Sequence, residues 1–319
     1  MRIVILDSKT LDPGDISWER MKELGTLERY DRTPEELVTS RIGDAEIVFT
    51  NKTIIDEKVL NACPNIRWIG VFGTGYNVVD ADACKKRGIL LANVPDYSTK
   101  AVAQHTFALL LEIACRVGEH SEAVAKGEWI TSADFCFCNN RLIELYEKNF
   151  GIIGFGNTGK AVAQIAQAIG MKVLVYTRHP NLSYESETLK FVSREELFEK
   201  SDIISLHCPL TEETRNMVNK ESIQKMKDGV ILINTARGPI LNEEDVRDAL
   251  ESGKIYALGA DVVSVEPMCD DNPLLNAKNA IITPHIAWAP KETRERLMRV
   301  CVENLRSFLN GNPQNIVNL

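Results

Sequence analysis

The sequence contains no apolar run long enough to cross a membrane and no excess of basic residues. Its net charge is −8, which argues against a nucleic-acid surface, because such surfaces cluster Lys and Arg. The opening residues resemble a short strand and a turn rather than a secretory signal. We therefore expect a cytoplasmic protein that binds neither nucleic acid nor membrane.

The eight cysteines include no C-x-x-C pair. Several lie in apolar runs, which favours free thiols in a reducing compartment. Cys136 and Cys138 form a close pair in FCFC, but no His or Cys follows them at the spacing of a zinc finger. The sequence therefore predicts no metal site.

The 319 residues and a hydrophobic fraction of 44% suit about two globular domains. Short apolar runs alternate with helix-like segments twice along the chain, a pattern that predicts an α/β protein with two doubly wound parallel sheets. A long helical pattern at 100–125 separates the two alternations, and a final helix at 291–310 is expected to return to the first domain. The predicted domains are therefore 1–99 plus 291–319, which is discontinuous, and 100–290.

A glycine-rich turn, GFGNTG, opens the second alternation. It follows an apolar strand and begins a helix, as the Rossmann-like dinucleotide fingerprint requires. Gly154 permits the tight turn, Gly156 lets the backbone approach a pyrophosphate, and Gly159 allows the helix to pack closely on the strand. The helix N-terminus offers N–H groups to the phosphates. The second domain is therefore expected to bind NAD or NADP.

The next strand ends in VYTRHP, without the carboxylate that usually binds the ribose diol of NAD. Thr177 is neutral there, and Arg178 can form charge-assisted hydrogen bonds to a 2′-phosphate. This favours tolerance of NADPH. An Arg178 that stacks on adenine while NAD still serves is an equally good interpretation.

Three charged or titratable residues lie in separate motifs of the second half: Arg237 in NTARG, Glu266 in ADVVSVEP and His285 in TPHIAW. An imidazole titrates near neutrality and can donate a proton to a new hydroxyl group, and a neighbouring Glu would favour its charged form. Arg237 can hold the carboxylate and polarise the carbonyl of a 2-keto acid. Asp261 is a candidate for hydrogen bonding to the nicotinamide carboxamide.

Each of these residues alone is more often a surface or structural residue. All three follow predicted strand ends, where doubly wound folds bind their ligands, and this shared position favours a catalytic set. In the first domain, Gly73, Thr74 and Gly75 follow a strand and can bind a carboxylate through backbone amides. Two further substrate candidates, each with an ordinary structural alternative, are Lys52 and Trp288.

These motifs, with GTGYNVVD, SLHCPLT and INTARG, resemble the NAD-dependent D-2-hydroxyacid dehydrogenase family over nearly the whole chain. Within it the sequence is most similar to glycerate dehydrogenases, also called hydroxypyruvate or glyoxylate reductases. The resemblance implies a homodimer formed through the cofactor domain, and the irregular segment 127–148 is either an arm for that contact or an ordinary loop. It also implies that His207, Cys208, Pro209 and Thr214 lie along the cofactor. Further candidates for cofactor binding are Asn157 and Thr158, which depart from the family's usual turn, and Thr235 and Ala236.

The predicted activity is reversible hydride transfer between NAD(P)H and hydroxypyruvate or glyoxylate, giving D-glycerate or glycolate. Two alternatives are another D-2-hydroxy acid as substrate, and a dinucleotide-sensing binding protein related to corepressors. The second alternative would be indicated by loss of a catalytic residue or by a partner-binding tail.

Overall fold

The computed structural model describes all residues from 1 to 319 and divides into two compact units. Unit 1 comprises Met1–Ser98 and Trp288–Leu319, and unit 2 comprises Thr99–Ala287. Each unit contains one parallel sheet covered by helices. The predicted fold class, two parallel-sheet α/β domains of which the first is discontinuous, is confirmed.

Unit 1 begins with five short strands interspersed with helices. The elements in chain order are β1 (Arg2–Ile5), α1 (Glu19–Lys22), β2 (Thr26–Arg29), α2 (Val38–Ile42), β3 (Ile47–Thr50), α3 (Glu57–Ala62), β4 (Trp68–Val71), α4 (Ala81–Lys86) and β5 (Leu90–Ala92). The strand order is β2-β1-β3-β4-β5, with every pair parallel. The central strands β3 and β4 are buried throughout, as expected when helices cover both faces.

Unit 2 contains a seven-stranded sheet. Its elements are α5 (Thr99–Cys115), α6 (Val117–Ala125), β6 (Asn149–Ile153), α7 (Asn157–Ala168), β7 (Lys172–Tyr176), β8 (Leu189–Phe191), α8 (Arg194–Lys200), β9 (Ile203–Leu206), α9 (Lys220–Lys225), β10 (Val230–Asn234), α10 (Glu243–Ser252), β11 (Ile255–Ala260) and β12 (Ala280–Ile282). The strand order is β12-β11-β10-β9-β6-β7-β8. The chain reverses direction across the sheet between β6 and β9, and ligands bind at such switch points, beyond the carboxyl ends of the strands.

The last helix, α11 (Lys291–Leu309), packs on the sheet of unit 1, where Leu297, Cys301 and Leu305 join its apolar core. The ring of Phe308 stacks on Trp68 of β4 at a centroid distance of 6.2 Å. The apolar face of α11 is therefore what returns the C-terminal segment to the first unit.

The single helix predicted over 100–125 is wrong. Arg116 adopts a left-handed conformation with φ of 50° and separates α5 from α6. Its guanidinium donates to Asn279 Oδ1 at 3.2 Å, while Glu112 accepts the N–H of Gly118 at 3.1 Å and caps the first turn of α6. Tertiary contacts thus break a helix in which the sequence has no proline.

The edge strands β2 and β8 carry no clear strand signal in the sequence. Both are short and only partly buried, so neither shows a continuous apolar run. No helix of the structure is long and apolar enough to span a membrane.

Candidate active site

The glycine-rich turn joins β6 to α7, and its three glycines have different surroundings. Gly154 has φ of 97°, and a Cβ there would lie 2.6 Å from the backbone of His207 and Cys208. A Cβ on Gly159 would overlap the carbonyl of Gly154, whereas one on Gly156 would meet nothing within 4 Å. The turn therefore packs tightly on the sheet side and leaves the backbone at Gly156 open, which fits a dinucleotide pyrophosphate.

A cavity of about 590 Å³ opens at this turn, beyond the carboxyl ends of β6, β7 and β9. Eight predicted cofactor residues line it: Gly154, Gly156, Thr177, Arg178, His207, Cys208, Pro209 and Thr214. Residues that the sequence analysis did not assign line it too, among them Phe155, Tyr176, Ser193, Arg194, Glu195, Thr211 and Glu213. The remaining predicted cofactor residues, Asn157, Thr158, Gly159, Thr235, Ala236 and Asp261, lie outside this lining.

Charges of both signs surround the end of β7 in this cavity. Arg178 Nη1 lies 3.9 Å from Glu213 Oε2, and both side chains are largely exposed. Burial lowers the pKa of His207 to about 3, and its Nε2 lies 2.8 Å from Ser205 Oγ. His207 is therefore neutral at physiological pH and adds no charge to the cavity.

His285 and Glu266 form a direct pair. His285 Nδ1 lies 2.6 Å from Glu266 Oε2, and each side chain is about one-third exposed, at 31% and 33%. His285 follows β12 and Glu266 lies in the loop after β11, two adjacent strands of the sheet. Nδ1 of the ring therefore faces the carboxylate, which fixes the orientation of the imidazole.

Asp261 is an anchor for the loop that carries His285. It is 1% exposed, and its carboxylate accepts the N–H groups of Ile286 and Ala287 at 2.9 and 2.8 Å. The hydroxyl of Thr283 also donates to it, at 2.5 Å, and its backbone carbonyl accepts the N–H of His285. Both carboxylate oxygens thus accept hydrogen bonds from the loop. The sequence made Asp261 a candidate for the nicotinamide carboxamide and gave no sign of this second role.

Arg237 lies in the loop after β10, and its exposed side chain donates to the carbonyl of Ala236 at 2.7 Å. The loop is closed by Asn234, whose side chain donates to Arg237 O at 2.9 Å. Gly238 presses against the backbone of Val263, so closely that any Cβ would overlap the carbonyl. Direct backbone packing therefore ties the Arg237 loop to the one that carries Glu266.

Glu243 at the start of α10 holds that second loop from the other side. This carboxylate is 8% exposed and accepts the N–H and hydroxyl of Ser264, both at 2.6 Å, and the amide of Asn272 at 2.9 Å. A Glu in the first helical turn is ordinary in a sequence. Only its burial identifies it as an anchor.

The substrate candidates of the first domain lie in unit 1. Lys52 is exposed, and its backbone N–H donates to Asp7 Oδ2 at 2.6 Å. Thr74, in the loop after β4, donates its hydroxyl to Val94 O at 2.8 Å. Trp288 is partly buried against the core of unit 1. The substrate role of these residues, and of Gly73 and Gly75, stays a prediction.

A family model described as "D-isomer specific 2-hydroxyacid dehydrogenase, NAD binding domain" matches residues 107–287. The chain is 54% identical to the "Hydroxypyruvate reductase" of Blautia hydrogenotrophica, over the full length of both proteins. It is 36% identical to the "Glycerate dehydrogenase" of Methylorubrum extorquens, covering 99% of this chain and 98% of that protein. Among solved structures, the acyclic imino acid reductase Bsp5 in complex with NADPH and D-Arg has a TM-score of 0.86 and 30% identity, over 99% of this chain and 100% of that one.

Proposed function

The chain belongs to the family of D-isomer specific 2-hydroxyacid dehydrogenases, and we propose that it reversibly reduces hydroxypyruvate or glyoxylate to D-glycerate or glycolate. The observation that carries the proposal is the 2.6 Å pair of His285 and Glu266 at the carboxyl edge of the sheet, where the loops after β10, β11 and β12 carry Arg237, Glu266 and His285 in turn. The similarity to proteins named hydroxypyruvate reductase and glycerate dehydrogenase supports this choice of substrate.

The three residues divide the chemistry as follows. Arg237 binds the carboxylate of the keto acid and polarises its carbonyl group. His285 carries a proton on Nε2 and delivers it to the carbonyl oxygen, while Glu266 fixes the orientation of the ring through Nδ1. When bound, NADH or NADPH supplies the hydride for the carbonyl carbon. In the direction of oxidation, His285 accepts the proton of the hydroxyl group.

The chain binds NAD or NADP, and we propose that the 590 Å³ cavity holds the adenosine half. Gly156 and the N-terminus of α7 would hold the pyrophosphate, and Thr177 and Arg178 would face the ribose. The neutral Thr177 in place of the usual acid, with Arg178 beside it, supports the use of NADPH, and Glu213 opposite Arg178 limits that preference.

The test is kcat/KM for hydroxypyruvate and glyoxylate with NADH and with NADPH, measured in parallel as loss of reduced cofactor. His285→Ala should lower kcat by roughly 10²–10⁴ with cofactor affinity kept. Near-normal turnover by that variant would remove His285 from the proton-transfer role. Turnover only with bulkier 2-keto acids would keep the enzyme class and replace the substrate, and turnover with none would favour the sensing function.

We further propose that the chain is a homodimer, with unit 1 as the substrate domain and unit 2 as the cofactor domain. The segment 127–142 supports the dimer because it exposes large apolar side chains: Trp129 at 52%, Ile130 at 87% and Phe135 at 89%. Ile130→Glu should shift the mass measured by light scattering from two chains to one.

The eight free thiols support a cytoplasmic location.

A further inference from the structure

Two consecutive residues of α5, His105 and Thr106, make hydrogen bonds to two different loops. His105 Nε2 lies 2.8 Å from Thr283 Oγ1, 178 positions away in the sequence, and 3.4 Å from Asp261 Oδ1. Thr106 Oγ1 lies 3.0 Å from Thr235 Oγ1, 129 positions away. Thr283 lies in the loop of His285, and Thr235 in the loop of Arg237. One turn of helix thus contacts both loops that carry the candidate catalytic residues.

The direction of each hydrogen bond follows from the other bonds of the same groups. The Thr283 hydroxyl donates its proton to Asp261, so the His105 ring must donate to Thr283 from a protonated Nε2. Thr106 donates to the carbonyl of Val102 at 2.9 Å, so Thr235 must donate to Thr106. Thr106 is fully buried and the side chain of His105 is 19% exposed. His105 therefore donates to Thr283, and Thr235 donates to Thr106. Both bonds are largely shielded from water, which has little access to take the place of either partner.

The His285 loop needs such support because its backbone is unfavourable. His285 has φ of 54°, in the left-handed region that non-glycine residues rarely adopt. Conformations of this kind persist only when neighbouring contacts hold them. Asp261 supplies several of those contacts. His105 donates to Thr283, and Thr283 donates to Oδ1 of Asp261, which is the oxygen that also accepts the N–H of Ile286.

The Arg237 loop is held at its start. Thr235 is 9% exposed and precedes Arg237 by two residues, and the side chain of Asn234 closes the turn between them. If Thr106 lost its hydroxyl group, the buried hydroxyl of Thr235 would lack an acceptor, which costs more than the bond itself contributes. The turn would then shift, and Arg237 with it.

We propose that His105 and Thr106 are positioning residues for the reaction: His105 holds the proton-donating loop, and Thr106 holds the loop that binds the substrate carboxylate. In this role both act through other residues, His105 through Thr283 and Thr106 through Thr235. His105 and Thr106 have different hydrogen-bond partners, so each substitution should affect mainly the loop that its own partner belongs to. The kinetic consequences rest on the proposed function, whereas the effect on the loops does not.

The first experiment measures amide hydrogen exchange by mass spectrometry on the full-length protein without substrate. His105→Leu removes the ring donor, and His105→Gln keeps an N–H near the position of Nε2. Thr106→Val removes the hydroxyl at constant shape, and Thr106→Ser restores it. We expect His105→Leu to accelerate exchange about tenfold in peptides covering 283–287 and not in 234–238, and Thr106→Val to do the reverse.

The second experiment measures turnover and cofactor binding of the same four variants. His105→Leu should lower kcat by roughly 10- to 100-fold with KM changed little, whereas Thr106→Val should mainly raise KM, by roughly tenfold. The Gln and Ser variants should recover most of each loss, and NADH affinity measured by fluorescence should stay within about twofold. Equal acceleration of exchange in both loops by both variants would overturn the proposal. So would normal exchange in both, or no recovery with Gln and Ser. If exchange behaves as expected but no variant, nor the parent, turns over hydroxypyruvate, only the proposed function fails.

Discussion

The change Asp261→Asn separates the two roles that Asp261 can have, loop anchor and cofactor ligand. The carboxylate accepts two hydrogen bonds on Oδ1, from Thr283 and Ile286, and one on Oδ2, from Ala287. An asparagine has one carbonyl oxygen, so its NH₂ group must face at least one of these donors. The least costly orientation keeps the two bonds on the Oδ1 side, weakened by the loss of charge, and loses the bond from Ala287.

The size of the effect follows from that count. Losing one charge-assisted bond inside the protein and leaving its donor unpaired costs about 3 kcal/mol of unfolding free energy. For a unit of this length, that lowers the melting temperature by roughly 6–12 °C. Because the loop carries His285, a displacement on the order of 1 Å should lower kcat by roughly 10- to 100-fold. NADH affinity should change little if Asp261 is an anchor of the loop.

The assay combines a thermal melt, steady-state kinetics and a fluorescence titration with NADH. The matched control is Asp202→Asn at the opposite edge of the sheet, where the carboxylate accepts the N–H of Asn149 at 2.8 Å and pairs with Lys227. That variant should lose stability while keeping kcat within about twofold. If Asp261→Asn instead weakens NADH binding strongly with an unchanged melting temperature, the anchor assignment is refuted and the nicotinamide contact is favoured.

Three further predictions concern the cofactor cavity and the packing of the loops. Glu213→Gln should raise the preference for NADPH over NADH about fivefold, because it removes a negative charge 3.9 Å from Arg178. Arg178→Asp should shift the preference toward NADH. Equal ratios of kcat/KM for the two cofactors in the parent protein and both variants would contradict this. Gly238→Ala should destabilise the protein by about 1–3 kcal/mol and lower kcat, since the new Cβ meets the carbonyl of Val263; a normal thermal melt would refute that close approach. Burial holds the pKa of His207 in the folded protein at about 3, below its value in the unfolded chain. Between about pH 6.5 and 3 only the unfolded chain takes up a proton on this residue, so the unfolding free energy falls as the pH falls through that window. His207→Gln should therefore flatten the decline in unfolding free energy measured by urea titration from pH 7 to 4, and an unchanged slope would show that the His207 ring titrates normally.

The sequence by itself determined the alternation of strands and helices, the dinucleotide turn and the three charged residues after strand ends. These features are local: apolar runs, glycine spacing and charged residues within a few positions of each other. Gly154 and Gly156 illustrate this, since the motif alone predicted a tight turn at one and an open approach at the other.

Only the tertiary structure decided which residues hold the site in place. Glu243 looks like a helix-start carboxylate, and His105 and Thr106 look like polar residues in an apolar helix, until the fold brings their partners near. The pair His105–Thr283 spans 178 positions, and no local pattern encodes a contact across that distance. The same holds for Arg116, whose left-handed backbone ends α5 while its guanidinium is held by Asn279. Positions of the buried strands follow from the local hydrophobic pattern, whereas anchoring of loops follows from contacts that exist only once the chain has folded.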